Sequence, residues 1–177
     1  MLAASSGRIH ALGHSYGAKV LLSATCANPL PRSLHSLLLL QPAVSHLACA
    51  AKVPGQSHPG GYHAALTRVQ RPIVSTYSRR DWPLSSLFHL VARRAADLGE
   101  MRIAARTGAP PSKFAALGGY GPRESGERLI DIIDAPNPYS LAGATRLVGV
   151  NGSRTISGHG DISNESTWWV LYNLTSS

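Results

Sequence analysis

The sequence predicts an α/β domain, a mostly parallel sheet flanked by helices, and three observations carry that expectation. Short apolar runs alternate with stretches of helical pattern along the chain, as they do when strands are joined by helical crossovers. The stretch Leu34 to Leu40 ends in a block of leucines and has the length of a strand buried on both faces. Ile73-Val74-Ser75-Thr76-Tyr77 is rich in β-branched residues, which suit a pleated, packed surface.

The elements follow in order. Arg8 to Leu12 reads as a first strand that breaks at Gly13, and Ala18 to Ala27 as a helix of good formers ending before the turn signal Asn28-Pro29. Leu34 to Leu40 is the second strand. Pro59-Gly60-Gly61 marks a loop, Ala64 to Val69 a short helix, and Ile73 to Tyr77 the third strand. From Leu84 to Arg106, Leu87, Leu90, Val91 and Ala95 share one helical face. Gly108 to Arg123 holds four Gly and three Pro and reads as loop. Leu129 to Ile133 and Leu147 to Val150 are further strands, the dipeptide Asn151-Gly152 favours a tight hairpin, and Ser166 to Leu174 is a closing helix.

The bulk numbers narrow the class. A chain of 177 residues fits one domain, and chains of that size bury about 70% of their unfolded surface. Hydrophobic residues at 44% and charged residues at 15% describe a globular chain, neither disordered nor coiled. The formal charge of +8 raises an anionic partner such as nucleic acid. The basic residues do not cluster beyond Arg79-Arg80 and Arg93-Arg94, and none alternate with aromatics as in single-strand binders. No nucleic-acid partner is expected, and salt-dependent retention on heparin tests that.

Cys26 and Cys49 form no metal or disulfide framework and read as small buried hydrophobes. No apolar run reaches the ~18 residues of a membrane span, and no basic segment precedes an apolar one at the N-terminus. The expected compartment is the cytoplasm.

One motif carries chemistry. Gly13-His14-Ser15-Tyr16-Gly17 fits G-x-S-x-G, directly after a strand-like run and directly before a helix. A turn that sharp holds the serine in strained geometry, and side chains at both flanking glycines are expected to collide with neighbouring elements. The hydroxyl is lifted to the N-terminus of the following helix, where the Tyr16 N–H is placed to serve an oxyanion.

A serine hydroxyl needs a general base, and the base an orienting carboxylate. His159 lies in the glycine-rich loop Ser157-Gly158-His159-Gly160-Asp161, after the last strand and before the closing helix. His10 and His14 flank the serine in sequence, His14 is expected to point away from Ser15, and His35, His46, His58, His63 and His89 read as structural. For the acid, Asp81 follows the third strand across Ser78-Arg79-Arg80, at the carboxyl edge where sites of parallel sheets lie. Its rivals are Asp131, Asp134, Asp97 and Asp161, the last expected to cap the closing segment or steady the histidine loop.

At these residues the chain resembles the α/β-hydrolase superfamily of serine hydrolases, from about Ile9 to Leu174. The matching motifs are the strand-elbow-helix at 8–27, the acid loop near 78–83 and the histidine loop near 157–163. The resemblance implies esterase, lipase-like, amidase or peptidase activity on a small acyl substrate, with no metal or organic cofactor. It implies Ser15 as nucleophile, His159 as base, Asp81 as orienting acid and the Tyr16 N–H as half of an oxyanion hole.

Family members place several strands and at least two helices before the elbow, whereas twelve residues precede Gly13 here. The expectation is therefore a single partial domain over 1–177, the C-terminal half of that fold. Its front supplies the second oxyanion donor, and its open sheet edge invites a partner chain or a second copy. The segments 44–62 and 110–123 are candidates to overhang the site, and Trp82 to line an acyl pocket or join the core.

Overall fold

The computed structural model describes residues 7–27, 30–88, 112–141, 143 and 145–176. Five strands form one sheet: β1 (His10–His14), β2 (Ser36–Leu40), β3 (Ile73–Tyr77), β4 (Arg128–Asp131) and β5 (Leu147–Asn151). Their order is β1-β2-β3-β5-β4, and all four strand pairings are parallel. The helical elements are α1 (Tyr16–Ala27), α2 (Ala65–Arg68), a short wide turn α3 (Pro83–Leu87), α4 (Leu117–Tyr120) and α5 (Glu165–Thr175). The chain thus has the α/β architecture expected from its sequence.

Strand periodicity sorts the core into two layers. Side chains alternate across a strand, so Leu37 and Leu39 of β2 face one way with Ile73 and Leu147, packing on Ala18 and Leu22 of α1 and Leu66 of α2. Leu38 and Leu40 face the other way with Val74, Val148 and Val150, against Val170 and Leu174 of α5. β2 and β3 are buried at every position, which explains why neither shows a polar alternation. The closing helix starts where the Asn164 side chain accepts the Thr167 N–H at 2.9 Å, satisfying a donor that a helix start leaves free.

Three expectations are corrected. Asn151-Gly152 makes no hairpin: the chain turns through Ser153 to Ile156, and the Asn151 Oδ1 accepts the Ser153 N–H and hydroxyl. A hairpin needs a returning strand, and β5 is already flanked on both sides by parallel neighbours. The stretch expected as loop from 108 to 123 contains α4, with Leu117 to Tyr120 all buried. A Cβ at Gly118 would lie 2.3 Å from the Gln41 backbone carbon, so its glycine is a close-approach residue. The segments expected to overhang are in large part core instead: Val44, Ala48, Cys49 and Leu117 belong to the main cluster.

The helix expected over 84–106 appears in its first turn as α3, and the remainder, with His89, Asp97 and Arg93-Arg94, lies outside the described residues. Among the described residues no helix is long and apolar enough to cross a membrane. β1 pairs with β2 on one side and with no strand among the described residues on the other. Beside that open edge Leu12, Tyr16 and Val20 are 42%, 53% and 66% exposed.

Candidate active site

Four strand ends converge on one place. Ser15 follows β1, Gln41 follows β2, Asp81 lies just beyond β3, and His159 lies on the loop leaving β5. This is the carboxyl edge of the sheet, where parallel α/β folds build their sites.

Ser15 stands between β1 and α1 with φ 54°, a left-handed conformation that costs a non-glycine residue about 1–3 kcal/mol. Backbone hydrogen bonds hold it there: its N–H donates to the Leu40 carbonyl at 3.0 Å, and its own carbonyl accepts from Ala18 at 3.2 Å and Ala43 at 3.1 Å. Gly13 is required by space, because a Cβ there would sit 2.8 Å from the Ala18 nitrogen. Gly17 is not. A Cβ at Gly17 meets nothing within 4 Å, which corrects the expectation that both flanking positions are crowded. Tyr16 opens α1, so its N–H has no carbonyl one turn earlier to meet.

The structure brings Ser15, His159 and Asp81 into one hydrogen-bonded chain. The Ser15 Oγ lies 2.8 Å from His159 Nε2, and His159 Nδ1 lies 2.8 Å from Asp81 Oδ2. A carboxylate can only accept, so Nδ1 carries the ring hydrogen of the neutral imidazole and Nε2 presents a lone pair to the hydroxyl. The His159 side chain is 27% exposed and that of Asp81 is fully buried. Asp81 has no idle oxygen, because its Oδ1 accepts the Leu84 N–H at 3.1 Å where α3 begins.

The two loops that carry Asp81 and His159 are tied together below the site. The buried Ser78 hydroxyl donates to the Ile156 carbonyl at 2.8 Å and accepts the Arg80 N–H at 3.1 Å. The Asp161 carboxylate accepts the Ser157 N–H and hydroxyl at 2.8 and 2.9 Å and the Asn164 amide at 3.1 Å. The Ser157 N–H foremost, then the Asn164 amide and the Ser157 hydroxyl, hold its pKa below the ordinary value. Asp161 therefore pins both ends of the histidine loop.

The other described rivals for the acid, Asp131 and Asp134, have partners of their own. Asp131 accepts from Asn151 at 3.0 Å, and Asp134 pairs with Arg154 at 2.8 Å. Trp82, at 61% exposed, stands on the rim beside Asp81 and is no part of the core.

Sequence reasoning missed two residues. His14 does not face Ser15, yet it is not idle: its Nε2 lies 2.8 Å from the His159 carbonyl oxygen. The two imidazoles are 4.7 Å apart between centroids. Burial lowers the His14 pKa, against the opposing pull of the carbonyl it bonds. Gln41 is fully buried with φ 38°, and its amide donates to the Gly158 carbonyl at 2.9 Å. The available signal for Gln41 was a polar residue standing directly after four leucines at a strand's carboxyl end.

Of the remaining described histidines, His10 bonds Ser36, His35 Gln70, His58 Pro59 and His63 Cys49, while His46 is buried. Among the described residues no group of three or more His, Cys, Asp or Glu is arranged to hold a metal ion. No family model, no curated protein and no solved structure matches this chain.

Proposed function

We propose that this chain is a serine hydrolase of the α/β-hydrolase type that cleaves an ester or related acyl bond through an acyl-enzyme. One observation carries the reading: Ser15, His159 and a fully buried Asp81 form an unbroken hydrogen-bonded chain, with the serine strained at a helix start. A seryl hydroxyl is a weak nucleophile until a base accepts its proton, and this arrangement supplies base and orienter together.

Ser15 Oγ attacks the acyl carbon as its proton passes to His159 Nε2. Asp81 stabilises the imidazolium that results. The carbonyl oxygen becomes an oxyanion and meets the Tyr16 N–H at the positive end of α1. Collapse of the tetrahedral intermediate expels the alcohol or amine, which takes the proton from His159 and leaves the acyl group on Ser15. Water then repeats the sequence, with His159 as its base, releasing the acid and restoring the hydroxyl.

The substrate is a small acyl compound. A partner chain or second copy covers the open edge of β1, where Leu12, Tyr16 and Val20 are exposed together. That edge also favours a second reading, in which the chain keeps the fold as an interaction module and does not turn over. Labelling by a fluorophosphonate probe decides between them. Labelling that Ser15→Ala abolishes supports the hydrolase, and folded protein that stays unlabelled supports the module.

A further inference from the structure

The loop that carries the catalytic base has little of its own to hold it. His159 stands between Gly158 and Gly160, and a Cβ at either glycine would meet nothing within 4 Å. A loop without side-chain packing keeps one conformation only if polar contacts pin it. Asp161 pins its two ends. The carbonyls at its centre are held separately, from the strands beneath. The His159 carbonyl oxygen lies 2.8 Å from His14 Nε2, and the Gln41 amide nitrogen lies 2.9 Å from the Gly158 oxygen and 3.5 Å from that of His159.

We infer that His14 is a positioning residue which, with Gln41, clamps the backbone of His159 and so fixes the reach of its imidazole between Ser15 and Asp81. The inference rests on the hydrolase reading and adds a role to it. A carbonyl can only accept, so His14 carries its hydrogen on Nε2. His14 and Ser15 are consecutive, so one short segment presents the nucleophile with one residue and grips the base's backbone with the residue before it. Any shift of β1 then moves both together. The hydroxyl-to-imidazole distance is preserved where a loop pinned elsewhere would let it drift. Glutamine at position 14 can place an amide nitrogen near the point that Nε2 occupies, whereas alanine leaves the carbonyl without that donor.

The test compares wild type, His14→Ala and His14→Gln in the full chain by two measurements. The first is the far-downfield proton resonance of His159 Nδ1–H, assigned with 15N-histidine, which needs no substrate. The second is the rate of Ser15 labelling by a fluorophosphonate. The expected result is loss or broadening of the resonance in His14→Ala with labelling slowed about 10- to 100-fold. In His14→Gln the resonance returns and labelling recovers to within a few fold.

An unchanged resonance and a labelling rate within twofold in His14→Ala overturn the clamp. Equal loss in both variants, with both folded, overturns it too, since the donor is then not what matters. If wild-type Ser15 does not label while the resonance still depends on the donor at 14, the clamp stands and the hydrolase reading falls.

Discussion

Replacing Asp81 by asparagine changes almost no volume, so its effect isolates the charge and the hydrogen-bond direction. Both carboxylate oxygens are committed, Oδ1 to the Leu84 N–H at 3.1 Å and Oδ2 to His159 Nδ1 at 2.8 Å. Asparagine has one oxygen to offer. If that oxygen stays on Leu84, the amide NH2 faces Nδ1, and the imidazole must accept there and carry its hydrogen on Nε2. It then donates toward Ser15 and cannot take the hydroxyl proton.

If the amide flips, two donors meet at Leu84 in a fully buried place, which costs about 1–3 kcal/mol. That alone leaves the productive orientation populated roughly 5- to 150-fold less. The lost negative charge beside the imidazolium adds to it. In a serine protease triad the same substitution lowers turnover about 10⁴-fold, close to 5.5 kcal/mol at 1.36 per decade. The assay is steady-state cleavage of a short-chain nitrophenyl ester together with the rate of Ser15 labelling, with a urea midpoint to establish folding. A folded Asp81→Asn protein within tenfold of wild type in both measurements refutes Asp81 as the orienting acid. Asp134→Asn, which breaks the exposed Arg154 pair, is the control and leaves both rates unchanged.

Gly13→Ala forces a Cβ within 2.8 Å of the Ala18 nitrogen and lowers unfolding free energy by about 1–3 kcal/mol. Gly17→Ala, with nothing within 4 Å and a place in the first turn of α1, leaves it unchanged or raises it by up to ~1 kcal/mol; urea melts of the two variants check the contrast. Burial, with Arg123 nearby, depresses the His46 pKa to about 4, against smaller raising contributions from the Ser112 backbone and Glu127. The unfolded chain therefore binds a proton more readily than the folded one below pH 6.5. Stability is full above that value and falls as pH drops toward 4, by up to ~3 kcal/mol, and His46→Leu flattens the profile in denaturant melts at pH 4.5 and 7. Leu12→Lys puts a charge on the open edge of β1 and lowers self-association in sedimentation velocity; unchanged association rules that edge out as the contact.

The strands, and the residues that meet at their carboxyl ends, were legible because each depends on local chemistry. Four leucines in a row, a β-branched run and a serine between glycines announce themselves without knowledge of their neighbours. The order of the sheet was not legible. β5 inserts between β3 and β4, and no residue in β5 states which neighbours it takes. α4 was hidden for a related reason: Leu117-Gly118-Gly119-Tyr120 is poor helix sequence. Its glycine at 118 answers to the backbone of Gln41, which passes too close for any side chain there. Asn151-Gly152 misled in the opposite direction, since its turn preference is real but is spent on capping the turn after β5. His14 could be found in the motif but not assigned, because its partner carbonyl lies 145 residues away.

The strands that position the site are unequally secured, and this bears on how it works. β2 and β3, which lead to Gln41 and Asp81, are buried at every residue and paired on both sides. β1, which leads to Ser15, is mostly exposed or half-buried and has β2 as its one described neighbour. Strand stability follows burial and pairing, so the strained Ser15 stands on the least anchored strand of the site. Its hydrogen bonds to Leu40, Ala18 and Ala43 transfer part of the rigidity of β2 to the turn. The grip of His14 on the His159 carbonyl transfers more from the far side. A chain that pairs with the open edge of β1 therefore does more than cover Leu12 and Val20. By fixing the strand it lowers the freedom of Ser15 and the clamped His159 relative to Asp81, so association and reactivity rise together. Labelling rate measured across protein concentration, in wild type and in Leu12→Lys, reads that coupling directly: a rate that climbs with association in wild type alone supports it, and one that ignores concentration refutes it.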